Sequence, residues 1–169
     1  MPLKLLMAAA LAITAKRHMD EQERAEPAPV FVADGVSQMM MKDAPIEPGW
    51  VIEGAPHARL SEHSKSHDKA SATAVWDCTA GTFRWFFGWD ETVVILEGSV
   101  HITAEDGTQR LLCAGDIAYF KAGTWATWHI DHYVRKVAFV RRPFPSLMVA
   151  AMKLKRALKG GDPASGLAA

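Results

Sequence analysis

The sequence is poor in cysteine, in net charge and in long apolar runs. Two cysteines, Cys78 and Cys113, stand among 169 residues, with no Cys-x-x-Cys pair. That absence excludes a zinc knuckle. The two cysteines fall in separate predicted strands. A disulfide between them is one reading, and two buried free thiols in a reducing compartment are the expectation. Lysine plus arginine equals aspartate plus glutamate, 19 of each, so the formal net charge is zero. No charge excess points to nucleic acid or to a strongly anionic partner, and near-zero charge favours self-association. No apolar stretch reaches the roughly 18 residues of a spanning helix, so no stable membrane span is expected. There is no phosphate loop, no dinucleotide fingerprint and no nucleophile–base pair to point to a particular reaction.

The apolar run Leu5–Ala15 resembles a weak secretory signal, but the small-residue sites around Ala10 and Ala12 would cut its apolar core too short. One lysine precedes it, and Lys16-Arg17-His18, which follow at once, resist translocation. Residues 3–26 favour helix and are stopped by Glu26-Pro27-Ala28-Pro29. Either this stretch is an amphipathic helix or the protein starts at Met19, and a cytoplasmic location is expected. Residues 1–29 are read as a helical extension, 30–143 as a barrel, 144–160 as a helix and 161–169 as a disordered tail.

A short strand is expected over Val30–Val36, and Met39-Met40-Met41 reads as apolar filler. Pro45–Gly54 reads as a loop leading into an edge segment, since proline blocks a central strand. Residues 58–69, with three serines, His63 and His67, read as an exposed loop. The His63-x-x-x-His67 spacing suits a metal only if helical.

From Ala70 the pattern changes. Runs at 72–79, 82–87, 92–96, 99–103, 109–113, 117–120, 125–130 and 133–141 are rich in aromatic and β-branched residues. Turns are expected at Glu105-Asp106-Gly107-Thr108, Ala114-Gly115-Asp116 and Lys121-Ala122-Gly123-Thr124. About eight strands without helices between them exclude a parallel βαβ fold and leave an all-β jelly-roll barrel or sandwich. After Pro143 and Pro145, Ser146 is a good N-cap. Leu147, Met148, Ala151, Met152, Lys155 and Leu158 form the stripe of an amphipathic helix, with Lys153, Arg156 and Lys159 off it. It ends at Gly160-Gly161. Docking on its own domain or on a partner subunit is the expectation.

Over about Gly49–Arg142 the chain resembles the cupins, most closely small single-domain cupins grouped with ureidoglycine aminohydrolase. The carrying segments are Trp50-Val51-Ile52-Glu53-Gly54, Trp76-Asp77-Cys78-Thr79-Ala80-Gly81, the run Asp90–Gly98, Gly115-Asp116, Ala122-Gly123-Thr124 and Arg135-Lys136-Val137. The resemblance implies an RmlC-like jelly-roll barrel, a homodimer and an interior ligand site. Metal-binding cupins carry G-x5-H-x-H-x3–4-E-x6-G. Glu91, seven residues before Gly98, matches its glutamate, but the histidine positions fall on Trp85 and Phe87, or on Arg84 and Phe86 with the longer spacing. In the second pattern, G-x5-P-x-G-x2-H-x3-N, Lys121 stands for proline and Ala126 for histidine. One carboxylate cannot hold a transition metal, so no metal or cofactor is expected. His101, His129 and His132 lie nearby in sequence, and strand alternation turns His129 outward.

If the correspondence holds, Trp85, Phe87, Glu91, Ala126 and Trp128 face the barrel interior, joined by Trp76. The alternative is a plain packed core. A carboxylate there needs a partner, for which Arg84, Arg135 and Lys136 are the candidates. An aromatic box around one acid suits an amine, an amino-acid derivative or a ureide. Two function classes follow. One is a metal-free small-molecule-binding module. The other is an enzyme, either of ureidoglycine aminohydrolase type or another cupin enzyme using Glu91 as general acid or base.

Overall fold

A computed structural model describes residues 29–145 together with Met148, Val149 and Leu154. The chain divides into Met1–Ala33 and Asp34–Ala169. Of the first unit, residues 29–33 are irregular and exposed. The strand expected over Val30–Val36 is not there: a strand needs a ladder partner, and among the described residues none pairs with this segment. The N-terminal helix, the tail and most of the helix at 146–160 lie outside the described residues; Met148, Val149 and Leu154 are helical. Among the described residues no helix is long and apolar enough to cross a membrane.

Eight strands build the second unit: β1 (Lys42–Asp43), β2 (Val51–Glu53), β3 (Ala58–Lys65), β4 (Ser71–Phe87), β5 (Asp90–Ala104), β6 (Gln109–Cys113), β7 (Ile117–Phe120) and β8 (Thr124–Arg141). Every pairing is antiparallel. Three strands are long, and each fuses two runs that read separately in the sequence. The fusions cross from one layer of the fold to the other. The first halves of β4 and β5 and the second half of β8 lie in a layer with β1, β3 and β7. The remaining halves lie in a layer with β2 and β6. This is a jelly roll.

Register shifts mark the crossings, between Thr79 and Gly81 in β4 and between Gly98 and His101 in β5. An extra residue on one side of a ladder bends and twists the strand. Gly98 has φ +72°, and a Cβ there would lie 1.9 Å from the Tyr133 carbonyl oxygen. Only glycine lets β5 pass β8 this closely.

The segment expected as a loop at 58–69 is largely the strand β3. Its exposed polar residues hid it, but seven of its residues pair with β4, from Ala58↔Cys78 to Lys65↔Ala72. The backbone ladder holds this strand, and its side chains contribute little to the core. His63 therefore sits on a strand, its Nδ1 3.0 Å from Ser64 Oγ, and the helical pairing with His67 does not form.

Inward residues of the two layers meet in one core. Trp76, Cys78, Val93, Ile95 and Val134 come from the first; Phe83, Phe87, Val100, Leu112, Trp128 and Ile130 come from the second. Fully burying each large side chain contributes about 1.5–3 kcal/mol. Both cysteines are free thiols, but only Cys78 is buried. Burial first, then the nearby Asp77 carboxylate, pushes the Cys78 thiol up to about 12. Cys113 ends β6 one residue out of phase with buried Leu112 and is exposed.

Candidate functional site

The phase of β4 brings the predicted wall together. Trp76 points inward before the register shift, and Phe83, Trp85 and Phe87 point inward after it. Trp76 lies 5.8 Å from Trp128 and 6.1 Å from Trp85, ring centroid to centroid, both edge-on. Ala126 faces Trp85 across the β4–β8 ladder and is buried. Phe87 stacks on Phe120 at 4.3 Å, and Phe120 lies 5.6 Å from Trp128. Trp85 is half-buried, in contact with Trp50 at 5.7 Å. Trp76, Trp85, Phe87, Ala126 and Trp128 thus line one interior, with Glu91 beside them.

Glu91 is not alone there. Lys136 Nζ donates to Glu91 Oε1 at 2.6 Å, and the two side chains are 5% and 11% exposed. The same ammonium lies 4.4 Å from the Trp128 ring centroid and 5.0 Å from that of Trp76. The ring faces offer negative charge to it. The cation that an aromatic box with one acid calls for is therefore carried on the protein's own β8. Of the other two candidates, Arg84 stacks on Trp125 at 4.5 Å, and Arg135 donates to the Val36 carbonyl oxygen at 2.9 Å. The signal for Lys136 was in the sequence: it keeps the phase of buried Val134 and Ala138. Counting by twos along β8 from Trp128 reaches it as well.

The two indoles nearest the pair carry Nε1–H donors that are buried and have no hydrogen-bond partner among the described residues. Lys136 makes one side-chain hydrogen bond, to Glu91. The site thus offers donors in excess of acceptors, and such groups are costly to leave unmade.

A transition metal does not fit these residues. Trp85, Phe87 and Ala126 supply no donor atom, and the one carboxylate is held by an ammonium that repels a divalent cation. The histidines do not rebuild a centre. His129 is half-exposed, its Nδ1 2.7 Å from Thr82 Oγ1 and its Nε2 3.1 Å from Asp131 Oδ1. His101 reaches the other oxygen of Asp131 at 3.4 Å, and His132 is exposed. His101 and His129 meet at Asp131 in half-exposed surroundings, and among the described residues no cluster of His, Cys, Asp or Glu is arranged to hold a metal ion.

Sequence reasoning missed a groove on the neighbouring edge strands. β6 and β7, edge strands of the two layers, face each other without pairing. A groove of about 260 Å³ opens between them, lined by Ile102, Arg110, Leu112, Ala118, Tyr119 and Phe120 among others. Phe120 is the ladder partner of Glu91. One phenyl ring therefore borders both the groove and the wall around Lys136.

Residues 65–138 match the family model of the EutQ-like cupin domain. The fold here is a cupin. A protein of unknown function of the DUF861 family from Pseudomonas syringae pv. tomato is 23% identical with a TM-score of 0.56, covering 61% of this chain and 45% of its own length. The chain thus spans less than half of that relative. A predicted oxalate decarboxylase from Thermotoga maritima is 14% identical with a TM-score of 0.52, covering 68% of this chain and 100% of its own. The cupin domain of Schizosaccharomyces pombe Cnp3 is 10% identical, also at 0.52, covering 80% and 85%. At these identities the likeness is one of fold. No curated protein matches the chain. The family match is a likeness of residues 65–138, less than half of the chain, to the EutQ-like cupin domain, and it does not reach the ureidoglycine aminohydrolase-like grouping.

Proposed function

We propose that this cupin domain binds a small organic molecule at the Glu91–Lys136 pair, without a metal. One observation carries the reading: a buried acid and a buried amine 2.6 Å apart, walled by indoles whose N–H groups have no partner among the described residues. The pair changes which ligand suits the box. A cationic amine has to displace Lys136 from Glu91. A ureide or amide brings a carbonyl acceptor and an N–H donor on one neutral plane. Its oxygen accepts from the ammonium or an indole, its N–H donates to Glu91, and no charge is left unbalanced. Ureides and amides, amino-acid derivatives among them, therefore come before simple amines.

A second reading has its own support. An acid and a base that share a hydrogen bond can pass a proton, so Glu91 serves equally as general acid or base for a bound substrate. Metal-dependent hydrolysis of ureidoglycine aminohydrolase type is not part of either reading, since the ligand set is missing. We also read the chain as a homodimer, paired through an edge strand.

Calorimetry with a panel of ureides, amides and amines tests the proposal. A ureide or amide is expected to bind the wild type, and Glu91→Gln is expected to weaken it roughly tenfold, the worth of one hydrogen bond to a charged group. Heats that neither Glu91→Gln nor Lys136→Met alters would remove the pair from the site.

A further inference from the structure

Lys136 is a primary amine in unusual surroundings for one. It is buried, it lies over two indole faces, and Glu91 is its hydrogen-bond partner. The charged pair and the neutral amine–acid pair carry the same total charge. They differ by one proton moved along a 2.6 Å hydrogen bond. A desolvated lysine beside a proton acceptor is the arrangement that attacks carbonyl carbons. A groove reaches Phe120, the residue facing Glu91 across the ladder.

We propose that Lys136 captures a small aldehyde or ketone as an imine, with Glu91 carrying the proton. This rests on the reading of Glu91–Lys136 as the ligand centre and names a reactive carbonyl as a ligand class for it. Glu91 first takes a proton from the ammonium. The free amine nitrogen then forms a bond to the carbonyl carbon, and the oxygen takes up the proton that nitrogen gives up. The carbinolamine hydroxyl takes the proton held by Glu91 and leaves as water while the C=N bond forms. The product is a protonated imine beside the Glu91 carboxylate, with one water released and no oxidant or reductant consumed. The Nε1–H groups of Trp76 and Trp128 are the donors available to the carbinolamine oxygen. The aromatic walls keep water from reversing the condensation. The apolar lining of the groove, Ile102, Leu112 and Phe120, favours a small apolar carbonyl compound such as propanal or benzaldehyde.

Reductive trapping tests this. The intact protein is incubated with propanal or benzaldehyde at concentrations that leave surface lysines unmodified, reduced with borohydride and mapped by peptide mass spectrometry. One adduct per chain, at Lys136, is expected. Lys136→Arg keeps a cation for Glu91 and has no imine-forming amine. It is expected to retain the wild-type circular dichroism and to lose the adduct. Glu91→Gln is expected to slow labelling about a hundredfold, the scale of a positioned proton carrier. Adducts spread over surface lysines, no adduct, or an unchanged adduct count in Lys136→Arg would each overturn the inference. If ureides bind in a Glu91-dependent way and no adduct forms, the covalent step falls and the binding site stands. If the adduct forms and ureides give no heat, the ureide reading falls alone.

Discussion

Two carboxylates are buried on opposite faces of the same layer. On the outer face, Asp77 accepts from Arg59 Nε at 2.9 Å, from Arg59 Nη2 at 2.8 Å and from the Tyr133 hydroxyl at 3.0 Å. Arg59 itself is well exposed, at 42%, so only one of the two charges leaves water. On the inner face, Glu91 has one side-chain hydrogen bond, from Lys136, and both charges are out of water. The outer carboxylate is saturated, which is how a structural ion pair is built. The inner one keeps spare acceptor capacity next to unmatched donors, which is what a ligand needs to find. Counting partners, not burial, separates the two.

The largest effect that can break this comparison is on stability. Lys136→Met leaves Glu91 buried without a partner and is expected to cost about 3–5 kcal/mol in denaturant unfolding. Adding Glu91→Leu should recover nearly all of it, since well-packed apolar replacements of a buried pair are neutral or stabilising. The outer pair should behave differently: Arg59→Met with Asp77→Leu should stay below wild type, because the Tyr133 hydroxyl loses its acceptor. Equal recovery on both faces would erase the distinction.

Next comes the crossing that sets the two faces apart. Gly98→Ala forces a side chain into φ +72° and against the Tyr133 carbonyl. Backbone strain alone is expected to cost about 1–3 kcal/mol, read as a fall in melting temperature.

The smallest effect sharpens the outer site. Burial first, and donation to Asp77 second, raise the Tyr133 hydroxyl above its ordinary value. A raised folded value means the stabilisation is complete below about pH 10 and is lost as pH rises through the folded value. Tyr133→Phe is expected to lose about 1 kcal/mol at neutral pH and to flatten the alkaline arm of the stability profile, followed by denaturant midpoint against pH.

Much of this was legible in the sequence because it depends on alternation. The β-rich runs, the turns at Gly107, Gly115 and Gly123, and the convergence of Trp85, Phe87, Ala126 and Trp128 all follow from side chains alternating along strands. What alternation cannot see is where a strand leaves one layer for the other. The shifts beside Gly81 and Gly98 are properties of the backbone, so β4, β5 and β8 each read as two strands. β3 was hidden because ladder hydrogen bonds, not apolar side chains, hold it in place. Lys136 stood beside Arg84 and Arg135 as a candidate partner for Glu91, and its shared phase with Val134 and Ala138 is what singles it out.

The continuity of β4, β5 and β8 has a consequence for how the molecule comes apart. Since the same three ribbons run through both layers, neither layer can peel away or melt first without pulling on a β4–β8 pairing that stretches from Phe87↔Thr124 through the shift beside Gly81 to Ser71↔Arg141. Amide protons at the centres of both layers should accordingly exchange with solvent through one shared global opening event, at one common rate.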